Sequence, residues 1–180
     1  MSYKVIVKPF RQSPELCGPG SLKIALSAFN KTASEAELAK LSGALQAAGR
    51  GSGTEHKGMI AAATALGMHV FAKDEGTVEE LRYLIETEHV PVIVGWFDRD
   101  EDHYSVMVEI ADDTIVLADS GSEGPERTIP KDFFKMVWFD FVGPHNKEVS
   151  WGWYMVMSPE KREYKIVGGH YYQSSHRANL

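Results

Sequence analysis

At 180 residues, 43% of them hydrophobic, the chain is long enough to bury one sizeable core, and its length favours a single domain. A net charge of −6 argues against a nucleic-acid surface, which needs a clustered basic face that this sequence lacks. Cys17 is the one cysteine, which excludes an intramolecular disulfide and a cysteine-based zinc site, and a free thiol fits a reducing compartment.

In chain order, Met1 to Pro9 carries too short an apolar run for a secretory signal and no stretch reaches the length of a membrane span, so the chain reads as cytoplasmic. Next comes Gln12-Ser13-Pro14-Glu15-Leu16-Cys17-Gly18-Pro19-Gly20, a turn leading into Leu22, Ala25, Leu26 and Phe29 at helical spacing. This predicts a helix from about Cys17 to Asn30 with a proline near its start. Ser34 with Glu37 and Thr77 with Glu80 form capping-box patterns ahead of two further helices. Between them, Thr54 is placed to cap a helix through Met59, Ala62, Ala63 and Leu66 that stops at Gly67.

The second half reads as strands. Pro91 to Phe97 is a continuous apolar run, His103 to Ile110 alternates, and Thr114 to Ala118 follows a hairpin-length break at Ala111-Asp112-Asp113. A short helix from Pro130 to Trp138 and a strand from Trp151 to Met157 follow. Helices first and an antiparallel sheet second predict one α+β domain over residues 1–159. Residues 160–180 are polar and without period, and read as an irregular or loosely docked tail.

The chemistry gathers around Cys17. A thiolate is the attacking species, and the positive end of a helix dipole favours it. A free cysteine also suits a small buried hydrophobe, so the nucleophile reading needs a histidine and an orienting partner. The hairpin supplies them. A tight turn near Asp112 sets Asp119 roughly opposite Ser105 and one diagonal step from His103 on the same face, within hydrogen-bonding reach. His103 is then the general base and acid, and Asp119 fixes its tautomer. Gln12 offers a side-chain amide as oxyanion donor.

Other patterns compete for some of these residues. Asp98, Asp100 and Asp102 stand at positions 1, 3 and 5 of a calcium-loop template with Glu109 at position 12, but His103 occupies the glycine position. A solvated acidic loop is the alternative. Gly49-Arg50-Gly51-Ser52-Gly53 lacks the Lys-Ser or Lys-Thr of a phosphate loop and reads as a connector, so no cofactor is expected. Trp96, Trp138, Trp151 and Trp153 fit either a cleft lining or the core. Gly168-Gly169 marks a turn, or a site of self-cleavage by the domain.

The order of glutamine, cysteine at a helix start, His103-Tyr104 early in a strand and Asp119 at the end of the next resembles the C39 family of papain-like cysteine peptidases. The likeness runs over about residues 5–142, through the Gly53-Thr54 helix, Glu79-Glu80-Leu81, Pro91 to Val94, and Phe133-Phe134 with Trp138. It implies a papain-like fold and hydrolysis of a peptide or protein substrate through a thioester, with Cys17 as nucleophile, His103 as base and acid, Asp119 as orienter and Gln12 as oxyanion donor. Two features depart from the pattern: Asp119-Ser120 stands where members often carry Asp-Pro, and there is neither a membrane span nor a phosphate loop of an attached exporter. A silent peptide-binding module and a related thiol amidohydrolase are the alternatives to peptidase activity.

Overall fold

The structure, a computed structural model, describes residues 2–44, 53–143 and 146–174. Helix α1 (Cys17–Ser27) opens with Pro19 in its first turn, where the missing N–H costs no hydrogen bond, and buries Leu22, Ile24, Ala25 and Leu26. It stops three residues before the expected Asn30. Asn30 adopts φ 55°, and Ala28, Phe29 and Asn30 close the end with bonds to carbonyls three residues back.

Helix α2 (Glu35–Ser42) is capped by Ser34, whose hydroxyl accepts the Glu37 N–H, and ends at Gly43 in the left-handed region. Helix α3 (His56–Ala65) starts one residue later than expected, with Glu55 at the cap and no side-chain cap bond. Thr54 is used elsewhere: its carbonyl accepts the Tyr104 hydroxyl at 2.7 Å. Its side chain lies against Gly18, where a Cβ would sit 2.6 Å from Thr54 Oγ1. After strand β1 (His69–Lys73), helix α4 (Val78–Glu86) carries the full reciprocal box of Thr77 and Glu80.

The remaining elements are β2 (Val92–Asp98), β3 (Glu101–Ile110), β4 (Thr114–Ala118), β5 (Glu126–Pro130), α5 (Lys131–Val137), β6 (Phe139–Val142), β7 (Glu148–Trp151), β8 (Tyr154–Ser158) and β9 (His170–Tyr172). A seven-stranded antiparallel sheet runs β5-β4-β3-β2-β8-β1-β9, and β6-β7 forms a separate ribbon. This is the α+β architecture expected, with one change in how the halves share it. Strand β1 comes from the helical half yet lies between β8 and β9, so early and late segments build one edge together. The predicted strand from Trp151 is divided at Gly152, which has φ 64° and donates to Trp138 O. Residues 160–174 are mostly irregular, but β9 pairs with β1 and Tyr164 is buried.

One irregularity decides the site. Ile110 faces Ile115 and Glu109 faces Val116, whereas Met107 faces Leu117 and Val106 faces Ala118, so Val108 is an extra, bulged residue. Carrying the outer register through would set Asp119 opposite Val106, whose side chain points away from the His103 face. The bulge sets it beside Ser105 instead, and Ser105 Oγ donates to Asp119 Oδ2 at 3.2 Å.

Candidate active site

Cys17 is the first residue of α1, and its sulfur faces the His103 ring closely enough to act on the ring's charge. The helix N-terminus directs unpaired N–H groups and partial positive charge toward it. Two glycines in the first turn are a poor choice for helix propensity and a necessary one for packing. A Cβ on Gly20 would fall 2.4 Å from Ser120 Oγ, just as one on Gly18 would strike Thr54.

His103 Nε2 lies 2.9 Å from Asp119 Oδ1, which leaves Nδ1 for the sulfur. Both side chains are buried. Asp119 Oδ1 also accepts the Gly121 N–H at 2.9 Å, while Oδ2 accepts from Ser105 and from Arg127 Nη1 at 3.1 Å. Arg127 in turn grips Asp98 through both terminal nitrogens, at 2.5 and 3.0 Å, and lies over the Trp96 ring. Trp96 Nε1 donates to Ser105 Oγ at 3.0 Å.

These contacts set the protonation states. Burial works against the charged form of His103, but its bonds to Asp119 and Cys17 outweigh that and hold its pKa up, at about 10. Burial likewise opposes ionisation of Asp119, and the His103 bond and charge, the Gly121 N–H and Arg127 overcome it, lowering the carboxyl to about 2. At neutral pH the pair is an imidazolium beside a carboxylate.

A cleft of about 830 Å³ opens over these groups, lined by Gln12, Cys17, His103 and Gly121, by residues 97–102, and by Glu15 and Phe141. Gly121 keeps it open: a Cβ there would lie 3.2 Å from the His103 ring and 3.4 Å from Gln12 Oε1. The structure thus brings Cys17, His103, Asp119 and Gln12 to one place, with Gln12 half-buried at the cleft wall.

Other expectations resolve differently. The calcium-template residues do not converge: Asp98 is held by Arg127, Asp102 accepts the Phe141 N–H, and Glu109 accepts from Ser2. Asp102 is half-buried, and burial raises its carboxyl pKa. Gly168 and Gly169 have φ of 80° and 79° and lead into β9, four strands from β3, with Gly169 packed on the Phe71 ring. Trp96, Trp138 and Trp153 are core residues and Trp151 is exposed. The connector at Gly49–Ser52 lies outside the described residues.

Sequence reasoning missed Arg127, and no spacing rule announces it; it enters through the β4-β5 pairing of Leu117 with Arg127. It also missed a second pair, in which His56 Nε2 lies 2.6 Å from Asp140 Oδ2 with the His56 ring stacked on Trp153 at 3.9 Å. Eighty-four positions separate those partners, so only the fold reveals them.

Comparison with known proteins agrees with the fold. Residues 7–142 match the model of the Peptidase C39 family. Among solved structures, the peptidase domain of Streptococcus ComA, a bi-functional ABC transporter, superposes with a TM-score of 0.63 at 19% identity, over 88% of this chain and 99% of that one. A double glycine motif protease from an AMS/PCAT transporter, solved with the leader peptide, gives 0.64 at 17% identity, over 88% and 95%. A protein described as a C39-like peptidase from Bacillus anthracis gives 0.68 at 14% identity, over 90% and 100%. No curated protein matches significantly.

Proposed function

Since the chain belongs to the peptidase C39 family, we propose that it is a cysteine peptidase that cleaves a peptide bond through a thioester on Cys17. The observation that carries this reading is that the Cys17 sulfur, at the N-terminus of α1, faces the ring of His103, whose Nε2 is bonded to Asp119.

The sulfur adds to the scissile carbonyl carbon while the proton resides on His103. The resulting oxyanion is held by the Gln12 amide and the Cys17 backbone N–H, donors that strengthen as charge develops. The C–N bond then breaks, and the leaving amine takes the proton from the ring. Water attacks the thioester, gives one proton back to His103, and releases the carboxylate and the sulfur. Asp119 stays ionised throughout and keeps the ring turned toward the sulfur. The leader peptide bound to the AMS/PCAT protease supports a peptide as the occupant of the cleft.

Iodoacetamide at neutral pH tests the reading. Cys17 should alkylate faster than free cysteine, and His103→Ala should bring it down to that level or below. A wild-type thiol as slow as free cysteine would refute the assignment.

A further inference from the structure

We propose that Ser120 is a positioning residue for the Gln12 amide, and so sets the oxyanion-stabilising power of the site without touching substrate. This deepens the peptidase reading and rests on it.

Ser120 is 1% exposed, and its hydroxyl donates to Gln12 Oε1 at 2.8 Å. The main chain repeats the contact, with Gln12 N–H donating to Ser120 O at 3.0 Å. A side-chain amide has two ends of nearly equal size, and only the NH₂ end stabilises an oxyanion. With Oε1 accepting the Ser120 hydroxyl, Nε2 is the end left for the cleft beside Cys17. Room for this arrangement comes from α1. The position facing Ser120 is Gly20, where a Cβ would lie 2.4 Å from Ser120 Oγ and 3.1 Å from Gln12 Cβ.

The same residue explains the departure from Asp-Pro. Proline after Asp119 would stiffen the backbone but offers no donor. Serine gives up that stiffness for a hydroxyl, and the Asp119 loop is held through other bonds: Gly121 N–H to Asp119 Oδ1, and Ser122 Oγ to Asp119 O at 3.2 Å. One loop therefore orients two functional groups, His103 through Asp119 and Gln12 through Ser120.

Two reactions of the same sulfur separate this role from a structural one. Acylation by p-nitrophenyl acetate passes through a tetrahedral oxyanion: the S–C bond forms, the C–O bond to p-nitrophenolate breaks, and the leaving group departs with its electron pair. Alkylation by iodoacetamide displaces iodide at a saturated carbon and forms no oxyanion. Loss of a whole oxyanion donor costs about 10²–10³-fold, so loss of its orientation alone should cost about tenfold.

Ser120→Ala is expected to acylate about tenfold more slowly than wild type while alkylating within twofold of it. Gln12→Ala should acylate more slowly still, and the double variant no more slowly than Gln12→Ala. Equal acylation by Ser120→Ala and wild type would overturn the proposal and leave the peptidase reading intact. So would additive losses in the double variant, or a fall in alkylation matching that in acylation. A wild-type thiol that reacts with neither reagent faster than free cysteine would bring down both.

Discussion

Asp119 carries four hydrogen bonds on two oxygens, from His103, Gly121, Ser105 and Arg127. A buried carboxylate so surrounded is stable only as the anion, and this is why its pKa lies near 2. The consequence for catalysis lies at the alkaline end. In the proposed mechanism His103 supplies a proton to the leaving amine, so turnover should fall as pH rises through about 10. Asp119→Asn removes the charge that holds this proton, so its alkaline limb should move to lower pH; an unmoved limb would show that another group titrates there. The same shifts govern folding. His103 adds stability that is complete below its unfolded value of about 6.5 and is lost as pH rises through about 10. Asp119 adds stability that is present above about pH 4 and is lost as pH falls through about 2. At this scale the meeting of Cys17, His103 and Asp119 was legible from a helix start and a hairpin, and that of Gln12 from its nearness in sequence to Cys17. Arg127 and Ser105 have none, since their role arises from strand pairing.

Helix α1 shows how an element can yield its own stability to a neighbour. Replacing a helical glycine by alanine ordinarily gains up to about 1 kcal/mol. At Gly18 the new Cβ would meet Thr54 Cβ at 2.8 Å and Met59 Sδ at 2.9 Å, and overpacking of this kind costs about 1–3 kcal/mol. The second effect wins, so Gly18→Ala should lower the urea midpoint with an unchanged slope, by a net of about 1 kcal/mol. A raised midpoint would mean that α1 and α3 can separate freely. The helix periods, the Thr77 box and the β3-β4 hairpin were legible because their signals are local. Strand β1 and ribbon β6-β7 were not, since His69 to Lys73 and Phe139 to Val142 are short runs whose partners lie far along the chain. The Val108 bulge left no mark in the alternating pattern, although the placement of Asp119 depends on it.

Across the whole molecule, charge is unevenly placed. Glu15, Asp100, Glu101 and Asp102 line the cleft with Arg99, while Asp98 is neutralised by Arg127. Such a rim concentrates cations, and salt screens it over about 10 Å at 0.1 M. For otherwise identical peptides, kcat/KM should fall with ionic strength when the peptide carries lysines and rise when it carries glutamates. The same slope for both would show that the rim takes no part in binding. The fold also spreads the reacting groups unevenly along the chain. His103 and Asp119 belong to neighbouring strands of one hairpin, whereas Cys17 comes about 100 residues before Asp119. During synthesis the thiol therefore leaves the ribosome long before the groups that would activate it. On the peptidase reading, the complete site would form only once the hairpin has closed over α1.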